Sequence, residues 1–297
     1  MYHNPVLLNE CIEGLNIHPD GVYVDATFGS GGHSRKITEK LSTGKLIAFD
    51  QDQDSTRNLI EDQRFIFINE NFRYLKNFLR FQGIHHIDGL LADLGISSWQ
   101  IDQADRGFST RLSGPLDMRM NRDQGISAGQ VINEYSGEQL THIFRSYGEL
   151  ENARKVSENI LAARMDQPLQ TTEELKNILL KSAPRGKENQ YLARVFQAIR
   201  IEVNEELEAL KDLIKGATDM LNPGGRLVII SYHSLEDRLV KNFFKTGNFE
   251  GKAEKDFYGN LVSPLLPVNR KAIVPTDEEQ SANPRSRSAK LRIAEKK

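Results

Sequence analysis

A buried strand that runs directly into a glycine-rich turn is the sequence feature that most constrains this fold. Val22 to Thr27 is a short apolar run, and Gly29 to His33 follows it at the start of a helical pattern. Glycines let a backbone approach a ligand closely, and a helix start offers N–H groups without intrahelical partners. This order predicts a nucleotide-type ligand site, although a plain tight turn would use the same residues.

A second short apolar run supports a ligand site because it ends in a carboxylate. Leu46 to Phe49 is followed directly by Asp50. An acid at the tip of the second strand of such a sheet can bind the two hydroxyls of a ribose. The two strand ends together therefore predict a ligand that contains a ribose.

Strands and helices alternate through the first third of the chain, which predicts an α/β fold. Apolar runs at 65–68 and 87–91 indicate a third and a fourth strand, and the fourth ends at Asp93. Such alternation is typical of a parallel sheet with helices on both faces. We expect a Rossmann-like sheet.

The pattern changes in the middle of the chain, where four helical patterns follow one another without strands. Two of them begin with a capping box, at Ser136 and at Thr171. The sequence therefore predicts an all-helical domain at 104–204, inserted into a sheet domain formed by 1–103 and 205–297.

A long helix, from about Asn189 to Leu221, is expected to return the chain to the sheet. Polar residues recur on it at spacings of three and four and form one stripe. The stripe consists of Arg194, Gln197, Arg200 and Asn204. It could be a solvated face or the lining of a cleft, and the spacing leaves both interpretations open.

Two further strands are expected near the C-terminus. Arg226 to Ser231 follows an Asn-Pro-Gly-Gly turn and leads into Tyr232, His233 and Ser234. Ala289 to Ala294 alternates like an edge strand and is expected to form a hairpin with 264–275.

Polar residues at four strand ends can surround one adenosine-like ligand, because ligands bind outside the carboxyl ends of parallel strands. A dinucleotide would require a third glycine where Ser34 stands, so a dehydrogenase is disfavoured. S-adenosylmethionine lacks a pyrophosphate and tolerates this difference. The Asn-Pro-Gly-Gly turn and the expected terminal hairpin also resemble those of the Rossmann-like (class I) fold of S-adenosylmethionine-dependent methyltransferases.

Composition limits the remaining classes of function. The chain has 297 residues, a net charge of −2 and a single cysteine, Cys11. A disulfide framework is excluded, and no cysteine or histidine spacing suggests a metal site. No apolar run approaches the length of a membrane span, and no export signal is evident. We expect a cytoplasmic protein without metal or membrane partner, either a monomer or a homodimer.

Several longer motifs give a more specific assignment. They are Asp93-Leu94-Gly95-Ile96-Ser97-Ser98-x-Gln100, Asp105 to Ser109, Gly114 to Met120, His3-x-Pro5-Val6-Leu7-Leu8, Arg194 to Asn204, Ser231 to Arg238 and Asn283 to Arg292. Together they resemble the bacterial small-subunit ribosomal RNA cytosine-N4 methyltransferase family, often called RsmH or MraW. The motifs run from one end of the chain to the other and include the insertion.

The resemblance implies an S-adenosylmethionine site. Gly31, Gly32 and His33 would hold the amino-acid portion of the cofactor, and Asp50 the ribose. The rest of the implied site consists of Phe72 near the adenine, Asp93 and Gln100. Trp99 stands where many relatives have proline.

The resemblance also implies methylation of the exocyclic N4 of a cytidine in the decoding region of 16S ribosomal RNA, within the small ribosomal subunit. We expect Asp93, or the backbone carbonyls after it, to accept the N–H groups of the reacting base. His233 or Ser234 is expected to hold the base or accept a proton, with a structural hydrogen bond as the alternative for His233. Alternative functions are methylation of another nucleic-acid amino group, or a non-catalytic assembly factor that binds S-adenosylmethionine.

Basic residues outside the strand ends are candidates for RNA phosphate contacts. They are Arg106, Arg111, Arg119, Arg194, Arg200, Arg285 and Arg287. The tail from Pro284 to Lys297 carries six Lys or Arg against one Glu. Ordinary solvated basic patches would have the same composition.

Overall fold

The structure, a computed structural model, describes residues 5–297, so His3 of the N-terminal motif lies outside the described residues. The chain divides into two compact units. The sheet unit comprises the described residues through Gly95 together with Leu207–Lys297, and the helical unit comprises Ile96–Glu206. The helical unit begins ahead of position 104, because Ile96 already packs against its core.

The sheet unit contains a seven-stranded mixed sheet. Its strands are β1 (Val22–Asp25), β2 (Lys45–Phe49), β3 (Phe65–Ile68), β4 (Ile87–Asp93), β5 (Leu221–Ser231), β6 (Leu265–Pro267) and β7 (Lys290–Lys296). The order is β3-β2-β1-β4-β5-β7-β6. The first five strands pair in parallel, and β7 runs antiparallel to β5 and β6. The predicted α/β sheet is confirmed.

The C-terminal strands differ from the prediction in one respect. β6 and β7 form the expected antiparallel pair. However, β7 lies between β5 and β6. The prediction that it would be an edge strand is therefore wrong. The outer strand is β6, which has only three residues and ends in Pro267; proline suits an edge because it cannot donate to a ladder.

Helices cover both faces of the sheet. They are α1 (Leu8–Leu15), α2 (Gly32–Lys40), α3 (Leu75–Phe81), α10 (Glu206–Met220), α11 (Ser234–Thr246) and α12 (Asp277–Ala282). One core contains Val24, Leu90 and Ile229 with side chains of α3, α10 and α11. Neighbouring strand residues such as Tyr23, Leu91 and Val228 face the opposite core beside α1 and α2. This alternation buries both faces of each central strand.

The helical unit contains the predicted helices around a core of its own. Its helices are α4 (Ser98–Asp102), α5 (Ala128–Glu134), α6 (Gly137–Ser146), α7 (Ala153–Asp166), α8 (Thr172–Leu180) and α9 (Glu188–Asn204). Capping boxes at Ser136 and Thr171 begin α6 and α8 as expected. Within the described part of the chain, no helix is both long and apolar enough to cross a membrane.

The prediction of a single long helix from Asn189 to Leu221 is wrong. The structure divides it into α9 and α10 at Glu205, whose φ of 48° is left-handed. The N–H of Glu205 bonds back to Ile201 and Glu202 and closes α9. The left-handed residue at a helix end is usually glycine. Because Glu205 is not glycine, the sequence did not indicate that a helix ends here.

Candidate functional site

The strand order of the sheet reverses between β1 and β4, which are direct neighbours. In open α/β sheets, the crevice outside the carboxyl ends of the strands at such a reversal is where ligands bind. Thr27 follows β1 and Asp93 ends β4, and the Asp93 N–H donates to Thr27 Oγ1 at 2.7 Å. The two strand ends are therefore joined at the centre of the candidate site.

The glycine-rich turn lies directly after β1. Gly29 and Gly31 have φ values of 51° and 75°, in the left-handed region that favours glycine. A Cβ atom on Gly32 would lie 2.3 Å from Cγ of Pro5, so the first residue of α2 has no room for a side chain and is glycine. The turn thus brings the start of α2 to the carboxyl edge of the sheet, where its N–H groups suit an anionic group.

His33 is buried in the first turn of α2. Its Nε2 lies 3.0 Å from the carbonyl oxygen of Val6, to which the imidazole is hydrogen-bonded. The imidazole thus anchors the segment before α1, which leaves the backbone of Gly31, Gly32 and His33 as the part of the turn that can face a cofactor. Their binding of the amino-acid portion stays a prediction.

Asp50 connects the tip of β2 to the glycine turn. Its Oδ2 accepts the Gly29 N–H at 2.8 Å, and its Oδ1 accepts the Asp52 N–H at 2.9 Å. Burial raises the pKa of Asp50 to about 7, against the lowering effect of these two N–H groups. Each carboxylate oxygen can accept a further bond, so the arrangement is compatible with ribose hydroxyls.

The segment that carries Phe72 is tied to the segment that follows β2. Asn71 caps the 3₁₀ turn Phe72–Tyr74, and its amide donates to Gln51 Oε1 at 2.9 Å. The residue before Phe72 is therefore tied to the residue after Asp50. Phe72 packs against the sheet core and is only partly buried. Its contact with adenine stays a prediction.

Asp93 is the most electrostatically perturbed of the predicted catalytic residues. Its Oδ1 accepts the hydroxyl of Tyr232 at 2.7 Å. Burial raises the pKa of Asp93 to about 6, while His33 and the Tyr232 hydrogen bond oppose the rise. Burial and the neighbouring Asp93 in turn raise the pKa of Tyr232, so Tyr232 remains a donor. Perturbed carboxyl groups of this kind are common at functional sites.

Sequence reasoning missed Asp25, which lies at the end of β1. It is 1% exposed and accepts the Thr27 N–H at 3.1 Å and the Ser34 hydroxyl at 2.6 Å. Burial raises its pKa as well. An acid at the last position of a strand was the available signal, the same one that identified Asp93. Asp25 holds the turn in place and is too buried to be an obvious ligand contact.

His233 begins α11 and is paired with Glu236. Its Nδ1 accepts the Glu236 N–H at 3.4 Å, which makes a capping box. Its Nε2 is 3.2 Å from Glu236 Oε1 but makes no hydrogen bond within the described part of the chain. These contacts favour the structural alternative for His233. Ser234, the first residue of α11, is exposed at the same edge.

Gln100 belongs to the helical unit. Its Oε1 accepts the Ser97 N–H at 2.9 Å, and the Ser97 hydroxyl accepts the Gln100 N–H, so the two residues form a capping box at α4. The spacing of Ser97 and Gln100 could have predicted this cap. The cofactor role of Gln100 stays a prediction, in which the amide would act from a fixed position.

Arg106 must be removed from the candidate RNA contacts. It is 1% exposed and donates to the carbonyl oxygens of Arg119 and Met120. Its guanidinium lies over the rings of Trp99 and Phe108, 5.6 and 5.9 Å from their centroids. This burial explains why an arginine in a loop is structural here and cannot reach a phosphate.

The polar stripe of α9 is neither a solvated face nor a demonstrated cleft lining, because it holds the helical unit together. Arg194 and Gln197 donate to backbone carbonyls of residues 147–149. Asn204 donates to the Met118 carbonyl and accepts the Met120 N–H. Arg200 pairs with Glu206 at 2.7 Å. The side chains of Arg194 and Arg200 therefore make structural contacts within the helical unit.

The remaining arginines differ in their surroundings. Arg119 pairs with Asp117 at 2.7 Å, whereas Arg111 is exposed. Arg285 and Arg287 are exposed in the segment before β7, and β7 pairs Lys290 with Ser231 at the end of β5. These two arginines thus lie near the carboxyl edge of the sheet. Their contact with RNA stays a prediction.

Comparison with known proteins agrees with the resemblance in sequence. The MraW methylase family matches residues 1–297. A ribosomal RNA small subunit methyltransferase H from Bacteroides thetaiotaomicron is 56% identical over 297 residues, with 100% of this chain and 98% of that protein covered. A protein of the same name from Flavobacterium johnsoniae is 55% identical over 296 residues, with 99% and 98% covered. A solved structure of a putative methyltransferase from Streptococcus mutans in complex with SAH is similar over 100% of both chains, with 12% identity and a TM-score of 0.46.

Proposed function

Because the chain belongs to the MraW methylase family, whose cofactor is S-adenosylmethionine, we propose that it methylates the exocyclic N4 of a cytidine in the decoding region of 16S ribosomal RNA. The observation that carries the substrate is the 56% identity, over the whole chain, to a protein named ribosomal RNA small subunit methyltransferase H. The small ribosomal subunit is then the partner, and the cytoplasm is the compartment in which the two would meet.

The carboxyl edge of the sheet supplies groups for cofactor binding. When bound, S-adenosylmethionine supplies an electrophilic methyl group. The backbone at Gly31 and Gly32 would bind its carboxylate, because N–H groups at a helix start favour anions. Asp50 would accept the ribose hydroxyls, and Phe72 would lie against the adenine. These assignments are supported by the contacts that tie the three segments together.

The acceptor nitrogen presents a chemical difficulty. The lone pair of cytosine N4 is delocalised into the ring, so the nitrogen is a poor nucleophile. An acceptor that binds its N–H groups favours a more tetrahedral nitrogen and orients it. Positioning of reactants in this way contributes about 7–11 kcal/mol in favourable cases. Many DNA amino-methyltransferases place Asp-Pro-Pro-Tyr here, whereas this chain has Asp93-Leu94-Gly95-Ile96.

Asp93 is suited to this role. Tyr232 occupies Oδ1 of its carboxylate, which leaves Oδ2 to accept an N–H of the base. With a pKa of about 6, Asp93 is largely ionised at neutral pH and can still take up a proton. It is therefore the group that we assign to the proton lost from N4. His233 is assigned the positioning of the start of α11, beside the exposed Ser234.

The decisive experiment is mass spectrometry of nucleosides from small-subunit RNA of cells with and without this protein. We expect N4-methylated cytidine to be lost in its absence and restored by the wild-type gene but not by Asp93→Ala. Labelled methyl transfer to small subunits, free RNA and DNA separates this proposal from methylation of another substrate. Binding of S-adenosylmethionine without methyl transfer to small subunits would favour an assembly factor. If a His233→Ala protein methylates at the normal rate, the role of His233 is only structural.

A further inference from the structure

Two aromatic side chains project from the sheet unit at the tip of a small hairpin. Phe257 is 98% exposed and Tyr258 is 86% exposed. Their rings meet edge to face, with centroids 5.7 Å apart and planes at 89°. Because the rings do not stack on each other, planar groups can stack on them. Two adjacent aromatic rings with this exposure can contact a ligand without any rearrangement of the chain.

The hairpin holds these rings in a fixed turn. Residues 254–262, here the aromatic hairpin, are closed by the bridge between Lys255 and Leu261. The carboxylate of Asp256 accepts the N–H groups of Tyr258 and Asn260 at 2.9 and 2.8 Å. Preorganisation of this kind reduces the entropy that is lost when a ligand binds.

A row of cations connects the hairpin to the candidate site. Arg238, Lys241 and Lys245 are exposed at spacings of three and four on α11, and we call this row the α11 track. Lys241 and Lys245 form no ion pair with any residue that the structure describes. Neither acid of α11 is an exposed, unpaired charge, since Glu236 is buried and Asp237 pairs with Arg292 at 2.6 Å.

The two ends of α11 give the track a direction. The helix begins at Ser234, at the carboxyl edge of the sheet, and is about 20 Å long, since it has 13 residues. It ends at Gly247, where an added Cβ would lie 3.2 Å from Ser263 Cα and Val262 O at the base of the hairpin. The cations therefore lead from the carboxyl edge of the sheet to the base of the hairpin that carries the two rings.

We propose that the α11 track and the aromatic hairpin hold a single-stranded segment of the RNA substrate, with phosphates on the cations and unpaired bases on the two rings. This inference rests on the proposed function. A cationic groove that ends in exposed aromatic rings is the combination by which proteins hold single-stranded nucleic acid. The uniform charge of the exposed face of α11 favours a polyanion, although Glu250 and Glu254 lie in the segment that leads to the tip.

Binding of a fluorescein-labelled 12-nucleotide oligoadenylate tests the proposal. Phe257→Ala/Tyr258→Ala should raise the Kd by about 10-fold or more, since a stacked base contributes about 1–3 kcal/mol, and should leave the salt dependence unchanged. Lys241→Gln/Lys245→Gln should reduce the slope of log K against log salt by about 1.4, because each phosphate contact on a single strand contributes about 0.7.

Matched controls separate these effects from general changes of the surface. Phe81→Ala removes another exposed aromatic ring, at the end of α3. Lys40→Gln/Lys45→Gln removes two exposed lysines at the end of α2 and the start of β2. Both controls should keep the wild-type Kd and slope. A wild-type Kd for the Phe257/Tyr258 variant, or an equal loss in the Phe81 control, would overturn the proposal.

Methyl transfer to unmethylated small subunits distinguishes the two proposals. Track and hairpin variants should show a raised KM with unchanged melting temperature and S-adenosylmethionine affinity. If the wild type transfers methyl and these variants keep its KM, the proposed RNA contact of the α11 track and the aromatic hairpin is wrong, and the proposed function stands. If the wild type transfers no methyl group but the predicted changes in oligonucleotide Kd and salt slope are observed, the proposed function is wrong and the single-strand contact of the track and hairpin stands. Loss of self-association with unchanged RNA affinity would identify a protein contact instead.

Discussion

Replacing Asp93 by Asn should stabilise the unliganded protein at neutral pH while it removes methyl transfer. The pKa of Asp93 is raised by burial from 3.8 to about 6. The folded state therefore holds this proton more tightly than the unfolded state, and ionisation of Asp93 lowers the free energy of unfolding. Asparagine is neutral and of similar shape, and its amide oxygen can still accept the Tyr232 hydroxyl.

The size of the effect follows from the two pKa values. The stabilising contribution of the protonated carboxyl is complete below pH 3.8 and is lost as the pH rises through about 6. One pKa unit corresponds to about 1.4 kcal/mol, so the charge costs about 1.6 kcal/mol at pH 5 and about 3 kcal/mol at pH 8. Asp93 keeps some contact with solvent, so both figures are upper limits.

Urea unfolding of wild type and Asp93→Asn between pH 5 and pH 8 measures this cost. The difference in free energy of unfolding should widen by about 1.4 kcal/mol over this range and then stay constant. Asp50, which also titrates, is present in both proteins. Asp93→Ala is the control, because it removes the acceptor for Tyr232 and should gain less stability. A difference that does not depend on pH would refute the argument.

Three further changes probe the same edge of the sheet. Tyr232→Phe removes a bond to a charged acceptor, worth about 1.5–3 kcal/mol, so the pKa of Asp93 should rise by about 1–2 units. The acid limit of the rate of methyl transfer should then move upward by the same amount, and an unchanged pH–rate profile would contradict the coupling. Asp50→Ala should weaken cofactor binding about 10- to 100-fold by loss of its acceptors, whereas ordinary affinity would exclude a ribose contact. Gly32→Ala places a methyl group 2.3 Å from Pro5 and should destabilise the protein by about 1–3 kcal/mol, as a lower urea midpoint would show.

The sheet was predictable because its strands are continuous apolar runs bounded by glycine, proline or acids. The errors occurred where the local signal was absent. Glu205 divides α9 from α10 in a left-handed conformation without a glycine. β6 has only three residues, including Pro267, so nothing in the sequence showed that it would displace β7 from the edge.

The candidate site shows the same division between local and long-range signals. Asp50 and Asp93 could be identified because each follows an apolar run. The bond from Tyr232 to Asp93 spans 139 positions and exists only because β4 and β5 pair side by side. Arg106 resembled a surface arginine in a loop, and only the tertiary structure shows that backbone carbonyls and two aromatic rings enclose it.

Ser34 gives the missing third glycine a physical explanation. In the dinucleotide fingerprint, the third glycine allows a helix and a strand to pack closely. Here Ser34 is fully buried at that position, and its hydroxyl donates to Asp25 at 2.6 Å. A glycine would remove this donor and leave Asp25 Oδ2 unsatisfied, at a cost of about 1–3 kcal/mol. Ser34 therefore stands at this position because its hydroxyl satisfies the buried Asp25 at the end of β1. The position serves that hydrogen bond rather than the close helix–strand packing of a dinucleotide site.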